Sequence, residues 1–178
     1  MNFIIIVDSV DYYKELQDKV LQLITEKFGL KVDKGGAPYI DHLLRVGDNA
    51  RDLFIEHNDL KSNIYTDAVY NAMLGMADSI RIVGYLHDII EDTDVTANDL
   101  LKIVPEDIVS GVVSVTRREG ESYSEFIKRA GDNQYGRYVK LADLKDNMDI
   151  TRLQKLDKED FDRLKKYLKS YHQLNSSF

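Results

Sequence analysis

Only two prolines, Pro38 and Pro105, interrupt a chain of 178 residues, and its apolar residues recur at spacings of three and four. That combination confines the chain to helices. Val10 to Phe28 carries Val10, Tyr13, Leu16, Val20, Leu21, Leu23 and Ile24 on one stripe, with Gly29 placed to end the helix. Lys31 to Pro38 reads as a loop through Lys34-Gly35-Gly36. Pro38 then opens a second helix that runs to about His57. Asn58 to Thr66 is a polar connection. A short helix is expected over Ala68–Met76, and another over Ser79–Ile90 capped by Asp78. Thr96 and Asp99 form a capping box for a helix to Ile103, Pro105 opens one to Val115, and Ser122 with Glu125 forms a second box. Helices over Asn133–Met148 and Lys158–Leu174 complete the set. Phe3–Val7 reads as a strand or an extension of the first helix. The fold class is all-α, and residues 1–178 are expected to form one domain.

Composition narrows the function. Asp and Glu number 31 against 24 Lys and Arg, a formal net charge of −7, which argues against a partner held along a nucleic-acid backbone. The absence of cysteine removes disulfides, thiolate zinc sites, iron–sulfur ligation and cysteine nucleophiles. No apolar run reaches membrane-spanning length, and the start lacks the basic region of a secretory signal, so the expected location is cytoplasmic.

The segment from Ile82 to Leu101 has no Lys or Arg but holds Asp88, Glu91, Asp92, Asp94 and Asp99. On a helix turning about 100° per residue, His87, Asp88 and Glu91 fall opposite the apolar arc of Ile82, Val83, Tyr85, Leu86, Ile89 and Ile90. Buried carboxylates need a positive partner, and here the local sequence supplies none; a metal ion would. A solvated acidic face accounts for this segment equally well. Two other places shift the balance: His42 follows a Gly-rich loop, and Asp143 sits among Val139, Leu141, Ala142 and Leu144, one turn from Asn147. Together His42, His87, Asp88 and Asp143 offer two imidazoles and two carboxylates, a set suited to Mn²⁺, Fe²⁺ or Zn²⁺. His57, His172, the Tyr135/Tyr138/Tyr167/Tyr171 stripe and the Lys165-Lys166-Lys169 run read as packing or surface features. Arg117-Arg118 reads equally as a phosphate contact or as helix-end charges.

The order His … His-Asp … Asp resembles that of HD-domain metal-dependent phosphohydrolases. Gly36-Ala37-Pro38-Tyr39-Ile40-Asp41-His42, His87-Asp88-Ile89-Ile90-Glu91-Asp92-Thr93 and Val139-Lys140-Leu141-Ala142-Asp143-Leu144-Lys145-Asp146-Asn147-Met148 are similar to three ordered elements of the Rel/SpoT hydrolase domains and their small stand-alone relatives. Thr116 to Tyr123 is also similar to short bacterial HD hydrolases, and the resemblance covers about residues 12–172. It implies an all-helical HD fold and hydrolysis of a nucleotide, with (p)ppGpp 3′-pyrophosphohydrolysis by a metal-activated water as the leading expectation. Another HD-type nucleotidase or pyrophosphohydrolase, or a non-catalytic nucleotide-binding module, are the alternatives. The resemblance further implies His42, His87, Asp88 and Asp143 as ligands of one divalent ion, usually Mn²⁺. It assigns Glu91 and Asp92 to the attacking water, and Lys34, Asn147, Lys140, Arg137 and Tyr123 to the nucleotide or its phosphates. The expected partner is a small-molecule nucleotide, with no nucleic-acid polymer and no membrane; a homo-oligomer is compatible with the sequence. Asp33 stands where relatives that cleave (p)ppGpp commonly carry Arg. The 45 residues from His42 to His87 are also more than these hydrolases have, and the excess around residues 56–78 suggests a hairpin over the pocket or an oligomer contact.

Overall fold

The computed structural model describes residues 9–62, 64–153 and 155–176, and every regular element among them is helical. The helices are α1 (Ser9–Phe28), α2 (Tyr39–His57), α3 (Asp67–Leu86), α4 (Ile89–Asp92), α5 (Ala97–Leu100), α6 (Glu106–Val115), α7 (Tyr123–Asp132), α8 (Gln134–Asn147) and α9 (Lys158–Asn175), with a 3₁₀ turn at Ile150–Arg152. The strand-or-helix reading of Phe3–Val7 lies outside the described residues. An isolated bridge between Val32 and Pro38 closes the loop before α2.

Local chemistry sets most of the boundaries. Thr96–Asp99 and Ser122–Glu125 both form the reciprocal hydrogen bonds of a capping box, and Asp157–Asp160 forms a third at the start of α9. Asn133 caps α8 by accepting from the amides of Tyr135 and Gly136. The two helices expected over Ala68–Met76 and Ser79–Ile90 are instead one, α3. Asp78 does not cap: its carboxylate takes the Arg51 Nε at 2.7 Å, and the helix runs through Gly75 without a break. The second expected helix also ends earlier, at Leu86, because His87 Nδ1 lies 2.7 Å from Gly84 O and engages that carbonyl at the helix end. His87 and Asp88 therefore occupy a turn rather than the face of a continuous helix. The helix expected to reach Ile103 stops at Leu100 and continues as turns.

α8 occupies the centre, packing on α2, α3, α6, α7 and α9. Tyr135, Tyr138, Val139, Leu141, Ala142 and Leu144 are all buried on it, as expected for a helix surrounded on every side. Tyr135 and Tyr138 thus belong to the core, and His57 packs against Tyr138 with Nδ1 2.9 Å from its hydroxyl. α2 and α3 form the most extensive pair. Their backbones meet where a Cβ added at Gly84 would lie 2.4 Å from Gly47 Cα, so both positions require glycine. Of the residues between His42 and His87, those around 58–74 form the connection to α3 and its far end, up to about 30 Å from His87 along a helix of 20 residues. They line a separate cavity with Arg51 and Ile55 and do not roof the pocket beside His42. No described helix is long and apolar enough to cross a membrane.

Candidate metal centre

Three elements converge beside the α2–α3 contact. His42 comes from the first turn of α2, His87 from the turn after α3, and Asp143 from α8, and all three are buried. One ligand atom from each lies within 4.8 Å of the other two. His42 Nε2 and His87 Nε2 are each 3.7 Å from Asp143 Oδ1, and the two rings are 5.1 Å apart at an interplanar angle of 70°. Asp88 flanks both imidazoles, with Oδ2 3.1 Å from His87 Nε2 and 3.9 Å from His42 Nε2.

The other ring nitrogens define how the histidines are set. His87 Nδ1 faces the Gly84 carbonyl, so Nδ1 carries a hydrogen and Nε2 is turned to the cluster. His42 Nδ1 lies 2.7 Å from Asp146 Oδ2. Burial would push the Asp146 carboxyl up, but His42, Arg45 and Arg152 hold it well below the usual carboxylate range. An ionised carboxylate only accepts, so His42 Nδ1 is the donor and its Nε2 also faces inward. A carboxylate that orients an imidazole in this way is the usual companion of a metal-binding histidine.

The electrostatics are those of a site short of positive charge. Asp88 and Asp143 share one close cation, Lys140, whose Nζ is 2.7 Å from Asp143 Oδ2. Tyr39 donates its hydroxyl hydrogen to Asp88 Oδ2, and Asn147 Nδ2 donates to Asp143 Oδ1. Burial pulls the His87 imidazole down, yet the carboxylates of Asp88 and Asp143 outweigh it and raise it to about 9. Its Nε2 is buried and makes no hydrogen bond of acceptable geometry. A nitrogen so placed among carboxylates favours a cation, whether the proton that its raised pKa holds there or a metal ion: His42, His87 and Asp143 could hold a metal ion, with Asp88 alongside.

Of the other residues expected at the site, Glu91 and Asp92 are on α4 beside it. Glu91 accepts from the backbone amide of Arg117, and burial raises its carboxyl above the usual value. Asp92 pairs with Lys31 at 2.5 Å, and the same ammonium sits 3.8 Å above the Tyr39 ring. Lys34 and Asn147 line a cavity of about 240 Å³ that also exposes His42, Tyr39, Arg152, Arg163 and Tyr167. Lys34 Nζ is held 2.6 Å from Asp160. Lys140 sits behind Asp143 over the Phe126 ring, and Tyr123 packs on Phe126 as well, so neither lines that cavity. Arg137 is elsewhere: its Nε donates to Gly131 O beside a shallow hollow with Gln134 and Tyr138. Asp33 accepts from the amides of Gly35 and Ala37 and pairs with Arg152 at 2.9 Å, so its charge is taken up within the loop wall.

Sequence reasoning passed over Tyr39, Asp146 and Arg152. Tyr39 and Asp146 stood inside the quoted motifs, three residues from His42 and Asp143, a spacing that places side chains on one helix face. Arg152 had no such signal, because its partners Asp33 and Asp146 come together only through the fold.

No family model and no curated protein sequence matches the chain. Among solved structures, a metazoan ortholog of SpoT, described as hydrolysing ppGpp and acting in starvation responses, superposes with a TM-score of 0.61. The match covers 90% of this chain and 84% of that one, at 20% sequence identity. The two share a fold. The all-helical architecture implied by the HD-type motifs is thereby borne out.

Proposed function

We propose that the protein is a metal-dependent phosphohydrolase of a nucleotide, of the (p)ppGpp 3′-pyrophosphohydrolase kind. The observation that carries this reading is the buried His42/His87/Asp143 cluster, with Nε2 of His87 unbonded among carboxylates and a cavity lined by Lys34, Arg152 and Arg163 at its edge. The shared fold with the metazoan SpoT ortholog supports it.

In this reading His42, His87, Asp88 and Asp143 hold one divalent ion, Mn²⁺ by preference. Bound there, the ion supplies Lewis acidity toward a water and a phosphoryl oxygen. Glu91, whose carboxyl is raised by burial, accepts and returns a proton. Asp92, fixed by Lys31, has the role of orienting the water. Asn147 and Lys34 position the phosphates from the cavity wall, where Lys34 exchanges its Asp160 partner for phosphate oxygen. Lys140 acts through Asp143, keeping it ionised.

A nucleotide panel with Mn²⁺ tests the reading. Release of pyrophosphate from ppGpp is expected. Orthophosphate from a nucleoside monophosphate would replace the substrate assignment with a nucleotidase, and binding without turnover across the panel would replace enzyme with binding module.

A further inference from the structure

Arg152 sits at a junction between the loop that carries Lys34 and the carboxylate that carries His42. Its Nη1 is 2.9 Å from Asp33 Oδ2. Its Nη2 is 3.0 Å from Asp146 Oδ2 and donates to the Asp146 backbone carbonyl at 2.6 Å. On one side, Asp33 Oδ1 is fastened by the amides of Gly35 and Ala37, at 2.8 and 2.9 Å, which fixes the turn around Lys34. That turn lies directly on the Arg152 backbone: a Cβ at Gly35 would stand 2.4 Å from Arg152 O. On the other side, Asp146 accepts from His42 Nδ1 and is also gripped by Arg45 Nε at 2.7 Å. One guanidinium thus links loop, carboxylate and imidazole in an unbroken series.

Two roles compete for a cationic residue in a cavity wall: to bind phosphate, or to hold the wall in place. The contacts decide between them. Both terminal nitrogens of Arg152 already face acceptors, and the two carboxylates it touches are balanced by it and Arg45, leaving little charge for a ligand. We infer that Arg152 is a positioning residue that clamps the Lys34 loop to Asp146 and thereby fixes the orientation of the His42 imidazole. The acid at Asp33 is the far anchor of this clamp. The inference rests on the metal-site reading only for its functional meaning, since the clamp itself is a property of the metal-free protein.

The test uses two readouts on the full chain. ¹⁵N-histidine spectra of the metal-free protein at fixed pH are expected to show His42 with its hydrogen on Nδ1. Arg152→Ala shifts it toward a tautomer mixture, and Arg152→Lys, which reaches one anchor only, shifts it part of the way. Titration with Mn²⁺ is expected to show affinity falling roughly tenfold or more in Arg152→Ala, within the range seen when groups behind metal ligands are removed. Asp146→Asn should lower it further. Adding Arg152→Ala to Asp146→Asn should then change nothing more, because both act along one series. Should neither Arg152 variant, folded by circular dichroism, alter the His42 tautomer or the affinity, the clamp is overturned while the metal site stands. Should the wild type bind no Mn²⁺ while the tautomer still responds to Arg152→Ala, the metal reading fails and the clamp stands.

Discussion

Two charged clusters, built from similar materials, meet at the Phe126 ring, which carries Arg129 of one and Lys140 of the other. In one, Arg129 of α7 faces Glu121. Its Nε and Nη2 each reach a carboxylate oxygen at 2.7 Å, Nη1 donates to the carbonyls of Val113 and Ser114 at 3.0 Å, and Nη2 donates to Thr116 O at 2.8 Å. The guanidinium thereby satisfies the open C-terminal end of α6, which would otherwise leave carbonyls unpaired. In the other, His42, His87, Asp88 and Asp143 share Lys140 and a tyrosine hydroxyl, and a buried nitrogen has no hydrogen bond. The first cluster is saturated and holds helices together. The second is held in deficit by the surrounding helices, and the deficit is what a cation can answer. Saturation separates a strut from a site better than charge content does.

The sharpest way to break this contrast is at the deficit. His87→Ala is expected to remove detectable Mn²⁺ binding and turnover together. Calorimetric titration and turnover assays check both halves; Mn²⁺ binding that survives in His87→Ala would make His87 a strut like Arg129. Glu91→Gln should retain Mn²⁺ and lower the rate roughly 10²- to 10⁴-fold, the range for a proton-transfer group. Steady-state kinetics at saturating metal would show it.

At the saturated cluster the effects should be on stability alone. Arg129→Met strips three carbonyls at the end of α6, those of Val113, Ser114 and Thr116, of their donor, with an expected cost of about 3 kcal/mol in denaturant unfolding and no change in Mn²⁺ affinity. The smallest effect concerns pH. The Arg129 guanidinium pulls the Glu121 carboxyl from an ordinary 4.5 down to about 2. A carboxyl lowered on folding stabilises the protein above its unfolded value and loses that contribution as pH falls through the folded one. The gap in melting temperature between wild type and Glu121→Gln should therefore be full above about pH 4.5 and close toward pH 2. A gap that stays constant would show that Glu121 acts through packing.

Much of this was legible in the residues alone. Helix class, two of the capping boxes and the convergence of His42, His87 and Asp143 follow from spacing and motif. What spacing could not show was competition for side chains. Asp78 has the chemistry of a cap but goes to Arg51. His87 ends α3 by taking a carbonyl that a straight helix would have kept. Arg137 lay one turn from Lys140, within reach of a nucleotide on paper, yet its Nε turns to Gly131. The Arg152 bridge spans 119 residues to Asp33, a pairing that no local pattern announces.

The touching backbones of Gly47 and Gly84 have a mechanical meaning. Gly47 lies five residues beyond His42, and Gly84 three before His87, so the contact acts as a fulcrum close to both imidazoles. Beyond it, α3 reaches back to Asp67 as a long arm that never approaches the cluster. Residues can be added to or removed from that arm without altering the bite of the two histidines.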